Sequence, residues 1–306
     1  MSASAPIVRA AAVRAAEAAG RPIVALESSV LAQGLPIPAN AEAAARMQAA
    51  VAGVGAVPAI TAVVRGRLSL GLEAEDLDRF LARTGVAKVS ARDLPVAMVE
   101  GRDGATTVAA ALACAAAAGV EVFATGGIGG VHRAPAFDES ADLAELGRVP
   151  VVTVCAGAKS ILDLPATLER LETLGVTVVG YRTDEFPGFF TSHTGLRVPA
   201  RADTPQALAA LFRAARRIGR PGGLLVVQPP PPATALEGPV VAAAVESALA
   251  EARVAGVRGA ALTPFLLAAV ERATGGRSLA ANLALLEANA RLAGEVAVAL
   301  AAAPAA

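Results

Sequence analysis

The sequence predicts an α/β fold in which helices cover a parallel or mixed central sheet. Short apolar runs rich in β-branched residues recur along the chain, and longer stretches with helical spacing separate them. The 306 residues, 55% of them hydrophobic, contain no Ser/Gly/Pro-rich or charge-block linker, which favours a single domain. Much of the apolar fraction is alanine, and Trp is absent, so closely approached helices should pack on Val/Leu/Ile strands.

Six runs predict strands, and each is short, apolar and followed by turn or polar residues. In chain order they are Pro22 to Leu26, Ala59 to Val64, Val120 to Ala124, Val151 to Val154, Val176 to Val179 and Gly223 to Val227. Helical spacing between them predicts helices over Asn40 to Val51, Gly104 to Ala118, Lys159 to Leu174 and Pro205 to Ile218. Three further helices are expected from Val240 onward, the last beginning near Ser278.

Charge and composition exclude several classes of function. The 27 acidic and 27 basic residues cancel and are spread along the chain, so we expect no nucleic acid and no membrane as partner, and a small molecule instead. No uncharged run is apolar enough for a bilayer span, and Glu17 with the early arginines argues against a signal peptide. Cys114 and Cys155 lie in apolar segments and are expected to be reduced core residues. These features together predict a cytoplasmic protein.

Ligands of open α/β sheets collect at the carboxyl ends of the strands. Four segments follow predicted strands there: residues 27–29, residues 125–132, residues 155–159, and Gln228 with its proline run.

Only two of the 27 basic residues are lysines, Lys88 and Lys159. Arginine cannot replace lysine as a nucleophile or tunable base, so both are candidates for chemistry, although chance survival in an arginine-rich composition explains the count as well. Lys159 follows a strand and Ala156-Gly157-Ala158, at the predicted opening of a helix. The partial positive charge of a helix N-terminus would favour the neutral, nucleophilic amine there. A phosphate-binding or surface lysine is the alternative.

Two acidic positions also carry possible chemistry. Glu27 lies directly after a strand and could act as a general acid or base, or its carboxylate could cap the turn Ser28-Ser29. Asp138 and Asp142 are four residues apart, a spacing that a helix places on one face and that suits Mn²⁺ or Mg²⁺. Alternatively, Asp138 or Ser140 is the N-cap of the helix that follows.

The glycine-rich stretch TGGIGGVH follows a strand and could wrap an anion with its backbone amides. His132 occupies the place of the third glycine of a dinucleotide fingerprint, and no P-loop sequence occurs. A tight packed turn is the alternative interpretation. His132 could bond within the turn or reach a ligand, whereas His193 is interpreted as a loop residue.

Several blocks together resemble the pseudouridine-5'-phosphate glycosidases, the indigoidine synthase A-like family. In order they are ALESSVLAQGLPIPAN, KVSARDLP, GATTVAAALACAAAAGVEVFATGGIGGVHR, DESADLAEL, VCAGAKSILDL, VVGYRTDEFPGFF and TPFLLAAVERATGGRSLAANLALL. The resemblance spans about residues 23–298. It implies a three-layer α/β/α fold, a homotrimer, a divalent metal that is typically Mn²⁺, and reversible cleavage of pseudouridine 5'-phosphate to uracil and ribose 5-phosphate by an enzyme classed with the lyases.

The resemblance also assigns site residues. It places the nucleophilic lysine, which forms a Schiff base, at Lys159 and the proton donor at Glu27. The metal ligand falls on Asp138. Substrate contacts fall on Lys88, Val108, Ser140, Ala141, Asp142 and Asn282, and His132 is added from the glycine-rich turn.

Three departures from the family pattern are visible. The loop between His132 and Phe137 is about two residues shorter than in many relatives, Glu139 replaces an aliphatic residue, and Gln33 replaces a frequent histidine. Glu139 could change metal affinity. Two competing functions remain: Schiff-base chemistry on another phosphorylated sugar, and a phosphosugar-binding module without activity.

Overall fold

The computed structural model describes residues 7–133, 137–257 and 262–302. Within them, eleven strands form one sheet, and a separate two-stranded ribbon lies beside it. The strands of the sheet are β1 (Val8–Arg9), β2 (Ile23–Leu26), β3 (Val57–Val64), β4 (Arg67–Leu70), β5 (Val86–Val89), β6 (Asp103–Thr106), β7 (Val122–Ala124), β9 (Val152–Cys155), β11 (Thr177–Tyr181), β12 (Ala200–Ala202) and β13 (Leu224–Val227); the ribbon pairs β8 (Val131–His132) with β10 (Leu162–Asp163).

All six predicted strands are confirmed, and they form the centre of the sheet. Their order is β3-β2-β7-β9-β13-β11, and every neighbouring pair among them is parallel. Strands buried on both faces read as continuous apolar runs, which explains why periodicity found them. The mixed character comes from β4 and β6, which both pair antiparallel with β3.

Helices cover both faces of this sheet and complete the three layers. The helices are α1 (Ala11–Ala18), α2 (Ala39–Ala52), α3 (Ala74–Leu81), α4 (Leu94–Val99), α5 (Val108–Ala118), α6 (Ala141–Arg148), α7 (Leu164–Thr173), α8 (Pro205–Arg217), α9 (Gly238–Val254), α10 (Leu262–Ala273) and α11 (Arg277–Ala301). On one face α11 packs against β2, β7 and β9 and against α2 and α8. On the other, α5 packs against β2, β3 and β7 and against α6. The predicted single-domain α/β/α architecture is therefore present.

Two predicted helix starts are wrong. Gly104 to Thr106 belong to β6, because long-range pairing with β3 and β5 outweighs the helical spacing of the following alanines, and α5 begins only at Val108. Lys159 does not open a helix. The next helix, α7, begins at Leu164, where the Asp163 carboxylate accepts a hydrogen bond from the Ala166 amide.

The core is continuous through both layers of helices. Because many of their buried side chains are alanines, α2 and α11 can approach each other closely on one face of the sheet, and α5 can approach the sheet closely on the other. Cys114 and Cys155 are free and buried within it, as predicted. Burial raises the pKa of each thiol to about 12, which makes both chemically inert near neutral pH. Among the described residues, none of the helices has the length and apolar character that crossing a bilayer requires.

Candidate active site

Adjacent parallel strands end at one edge of the sheet and bring the predicted catalytic residues together. Glu27 follows β2, Thr125 follows β7, and Lys159 lies four residues after β9. Because β7 lies between β2 and β9 in the sheet, the acid and the lysine face each other across its end. Lys88 enters from β5, which lies off the main path of the sheet beside β6.

Three adjoining cavities, of about 60, 120 and 240 Å³, surround this edge. Glu27, Lys88 and Lys159 line both the 60 and the 120 Å³ cavity, so they lie where the two meet. The 240 Å³ cavity shares Gln33 and Asn282 with the smallest one. Of the predicted site residues, these walls include Glu27, Lys88, Val108, His132, Ser140, Ala141, Asp142, Lys159 and Asn282. Asp138 is the one predicted residue outside them.

Glu27 is a buried carboxylate with two hydroxyl donors. The Thr125 hydroxyl donates to Oε1 at 2.5 Å, and the Ser29 hydroxyl donates to Oε2 at 2.9 Å. Burial raises the pKa of Glu27, and the charge of Lys159 and the two hydroxyl groups oppose this increase only in part. A carboxyl group with a raised pKa carries a proton closer to neutral pH, as a general acid requires.

The support of Glu27 extends to the far side of the sheet. The Asn289 Nδ2 atom, on α11, donates to the carbonyl oxygens of Thr125 and Gly126 at 2.8 and 3.2 Å. Asn289 Oδ1 in turn accepts a hydrogen bond of 2.8 Å from Gln228. The Asn289 side chain therefore binds two backbone carbonyl groups just after β7; the Gly126 carbonyl also accepts the Ala156 amide at 2.9 Å. This arrangement fixes the backbone that presents the Thr125 hydroxyl to Glu27.

Lys159 lies in a tight turn rather than at a helix N-terminus. Its amide donates to the Ile128 carbonyl at 3.1 Å, and its carbonyl accepts from the Leu162 amide at 3.0 Å. Two residues earlier, Gly157 has φ +80°, and a Cβ there would meet the Pro187 carbonyl oxygen. The turn therefore requires glycine. Since no helix starts here, the predicted effect of a helix dipole on this amine is wrong; the charged groups that interact with it include Glu27 and Lys88.

Lys88 carries the second amine of the cluster. Although part of Lys88 meets solvent, the surrounding protein partly desolvates its ammonium group and, with the positive charge of Lys159, lowers its pKa. The carboxylates of Glu27 and Asp142 oppose this decrease. Two lysines and two acidic side chains thus share one cleft.

The 120 Å³ cavity lies at the N-termini of two helices. Thr107 caps α5 and Ser140 caps α6, and both residues line it together with Val108, Ala141 and His132. Ser140 is therefore the N-cap, and Asp138 lies before the helix, so the predicted shared helix face of Asp138 and Asp142 is wrong. Free amides at helix N-termini bind anions.

Asp142 organises the wall of this cavity. Its carboxylate accepts the Ala109 amide at 2.9 Å and the Gly129 amide at 2.8 Å. It thereby joins the start of α5, the glycine-rich turn and the first turn of α6. A Cβ at Gly129 would collide with Ser140, so this part of the turn requires glycine as a close-packed position.

The smallest cavity contains two carboxamide groups whose oxygens lack donors. Among the described residues, the buried Gln33 Oε1 and Asn282 Oδ1 atoms accept no hydrogen bond. The ring of Phe189 lies in the same wall and packs on Gly127, and Phe189 adopts φ +65°. Strained non-glycine residues of this kind cluster at functional sites.

Comparison with known proteins identifies the family of this chain. The sequence profile described as indigoidine synthase A like protein matches residues 12–299. The chain belongs to the indigoidine synthase A-like family.

Relatives within this family are close over almost the whole chain. The pseudouridine-5'-phosphate glycosidase of Gemmatimonas aurantiaca is 65% identical over 281 residues, which cover 92% of each chain. That of Herpetosiphon aurantiacus is 54% identical over 290 residues, or 94% of this chain and 96% of the relative.

Two solved structures of related proteins share the fold. The prealnumycin C-glycosynthase AlnA, in complex with ribulose 5-phosphate, superposes with a TM-score of 0.89 at 39% identity, covering 96% of this chain and 97% of AlnA. An indigoidine synthase A-like protein of Thermotoga maritima also gives 0.89, at 35% identity over 99% of each chain.

Asp138, the metal ligand that the family resemblance implies, does not line the three cavities. Its carbonyl accepts the His132 amide at 2.9 Å, which places it beside the ribbon strand β8. In the described parts of the chain, no group of three His, Cys, Asp or Glu side chains could hold a metal ion. The carboxylate fits a hard divalent ion only if water supplies most of the ligands, as Mg²⁺ and similar ions tolerate. The Mn²⁺ site stays a prediction.

The remaining sequence expectations concern the rim. His193 is exposed, and its ring nitrogen lies 3.6 Å from Glu185, as befits a loop residue. Glu139 forms an ion pair with Arg170 at 2.8 Å.

Sequence reasoning did not single out several polar residues of this site: Ser90, Thr107 and Thr263 line the cavities, and Thr125 donates to Glu27. All four residues lie within the blocks that carry the family resemblance, and Ser90 is two residues after Lys88. The signal was position at a strand or helix end, which does not by itself tell a capping hydroxyl from a ligand contact.

Proposed function

We propose that this protein is a pseudouridine-5'-phosphate glycosidase, which cleaves the bond between C1' of ribose and C5 of uracil in a reversible reaction. The observation that carries the proposal is the buried Glu27 opposite Lys159 at the junction of two cavities. The names of the two bacterial relatives support the substrate. AlnA, which is named as a C-glycosynthase and was crystallised with a pentose phosphate, supports the bond type and the sugar class.

The charged groups of the cleft determine where the phosphate, the sugar and the uracil of the substrate bind. The phosphate fits the 120 Å³ cavity, where the N-termini of α5 and α6, Lys88 and His132 converge. The sugar lies between Glu27 and Lys159. The uracil then faces the smallest cavity, beside Gln33, Phe189 and Asn282.

The carbon-carbon glycosidic bond determines the chemistry, because it has no glycosidic oxygen to protonate. Glu27 donates a proton to the ring oxygen as the C1'–O bond breaks, and the neutral amine of Lys159 adds to C1'. The ammonium group formed on Lys159 first returns one proton to the Glu27 carboxylate. The lysine nitrogen then forms a double bond to C1' as the C1'–C5 bond breaks, its electron pair goes to uracil, and Glu27 passes the recovered proton to C5. Water adds to the iminium and releases ribose 5-phosphate and free Lys159.

The divalent ion, Mn²⁺ in the first instance, would bind at Asp138 and order the cleft through coordinated water. The family resemblance further leads us to propose a homotrimer, which light scattering of the purified protein tests.

Lys159→Arg should abolish turnover of pseudouridine 5'-phosphate and leave the fold intact, since the charge is kept but the nucleophile is lost. The measurement is uracil release, combined with borohydride reduction in the presence of ribose 5-phosphate and mapping of the adduct by mass spectrometry. A sugar-phosphate mass on Lys159 of the unmodified protein is expected.

Arg213→Lys serves as the matched control, because Arg213 binds carbonyl groups at the end of α11, far from the cleft. Turnover by Lys159→Arg would overturn the covalent mechanism. Adduct formation without uracil release would instead indicate Schiff-base chemistry on a different phosphorylated sugar, and binding without adduct would indicate a binding module.

A further inference from the structure

Gln33 and Asn282 both line the smallest cavity, and the side-chain oxygen of each is buried without a donor among the described residues. A buried acceptor without a donor destabilises the protein, because the group has lost its hydrogen bonds to water. Two such atoms in one wall, beside Glu27 and Lys159, indicate that a ligand supplies two N–H or O–H groups there.

The orientation of Gln33 is set by a second contact. Its Nε2 atom donates to the Val86 carbonyl at 3.3 Å, and Val86 belongs to β5, the strand that also carries Lys88. With the amide nitrogen committed to the backbone, the oxygen is the group left for a ligand.

Uracil joined through C5 carries two N–H groups, at N1 and N3, because neither nitrogen forms the glycosidic bond. In an N-linked nucleotide such as uridine 5'-phosphate, N1 is bonded to the sugar and one N–H remains. Two free acceptors therefore match the carbon-linked base and leave one acceptor unpaired with the nitrogen-linked isomer.

We propose that Gln33 is a specificity-determining residue: its Oε1 accepts one imide N–H of the uracil while Asn282 Oδ1 accepts the other, so that the pair selects carbon-linked over nitrogen-linked nucleotides. This inference rests on the proposed glycosidase function. Phe189 completes the subsite as an apolar wall against the ring. A site built to hydrogen-bond a donor rejects an analogue that lacks it more strongly than a hydrophobic pocket rejects one differing by a methylene group.

The test compares three substrates: pseudouridine 5'-phosphate and its N1-methyl and N3-methyl derivatives. For the unmodified protein, each methyl group removes one donor and should lower kcat/KM at least 10-fold. Gln33→Met keeps the length of the side chain but offers no carbonyl oxygen. It should lower kcat/KM for pseudouridine 5'-phosphate about 10-fold. It should also make the loss of kcat/KM caused by the methyl group on one nitrogen about 10-fold smaller, while the loss caused by the methyl group on the other nitrogen stays unchanged.

Gln48→Met is the matched control, because Gln48 is a half-buried glutamine of α2 whose amide donates to the Ala44 carbonyl away from the cleft. The rate of borohydride-trapped adduct with ribose 5-phosphate, which has no base, should be unchanged in Gln33→Met. If the rate of adduct formation also falls in Gln33→Met, the Asn282→Leu variant provides a second test. In that variant, the loss of kcat/KM caused by the methyl group on the other uracil nitrogen should become smaller.

An equal loss on all three substrates, or an unchanged kcat/KM for the parent, would contradict the role of Gln33. Absence of uracil release by the unmodified protein, with adduct still formed, would refute the glycosidase function instead, so the two failures are distinguishable.

Discussion

At the residue scale, opposing interactions act on the pKa of Glu27. Burial disfavours its charged form, whereas Lys159 and the hydroxyl groups of Thr125 and Ser29 favour it. Burial dominates, so the pKa is raised. A proton donor must be able both to give its proton to a substrate and to recover it.

Thr125→Val removes the 2.5 Å hydrogen bond to Glu27 and nearly preserves the shape of the side chain. Because that bond favours the carboxylate, its loss should raise the pKa of Glu27 further, so the alkaline limb of the kcat/KM profile should move to higher pH. The measurement is uracil release as a function of pH. Thr125→Ser keeps the hydroxyl group and should retain the original limb. If the alkaline limb of the kcat/KM profile stays at the same pH in Thr125→Val, Thr125 does not influence the pKa of the proton donor.

Sequence reasoning identified the reactive side chains better than the residues that hold them in position. The scarcity of lysine pointed to Lys88 and Lys159, and both line the cleft. Thr125, by contrast, lies 98 residues from the carboxylate it contacts. Such pairings depend on strand order, which a single sequence does not display.

At the element scale, the cleft depends on where helices begin. Asp142 joins the first turns of α5 and α6 to the glycine-rich turn through two backbone amides. It is therefore a positioning residue for the anion site rather than an acid or base. The six central strands could be predicted because burial on both faces gives continuous apolar runs. Strand β6 could not, because its pairing with β3 joins residues about 40 positions apart.

Asp142→Asn should weaken ribose 5-phosphate binding about 10-fold, because the amide offers one acceptor oxygen and turns an NH₂ group toward a backbone N–H. The measurement is the ribose 5-phosphate concentration that gives half-maximal borohydride-trapped adduct. Glu139→Gln is the control, since Glu139 pairs with Arg170 at the rim and should leave this concentration unchanged. Unaltered binding in Asp142→Asn would show that the anion site does not depend on this clamp.

At the scale of the whole molecule, the catalytic acid is maintained at a cost in stability. A carboxyl group whose pKa is raised on folding binds more protons in the native than in the unfolded state between the two pKa values. The contribution of Glu27 to stability is therefore greatest at acidic pH and declines as pH rises from the unfolded pKa through the folded one.

Glu27→Gln should accordingly be inactive but more stable at neutral pH, since the uncharged amide avoids the burial of an ionised group. The gain in Tm should be on the order of 2 °C for each kcal/mol added to the free energy of unfolding. It should vanish at pH values below the pKa that the Glu27 carboxyl group has in the unfolded chain. Calorimetry from pH 4 to pH 8 measures it, with Glu246→Gln, an exposed position, as control. Equal Tm values at neutral pH would mean that Lys159 compensates the buried charge fully.

The contact of Asn289 with the end of β7 has a consequence for biosynthesis. Glu27 leaves the ribosome long before Asn289, because the helix that fixes the backbone of its hydrogen-bond partner lies about 250 residues further along the chain. A nascent chain holding both Glu27 and Lys159 therefore still lacks an ordered proton donor. Catalytic competence during translation should arise abruptly, when α11 docks, rather than in proportion to the length of chain already made.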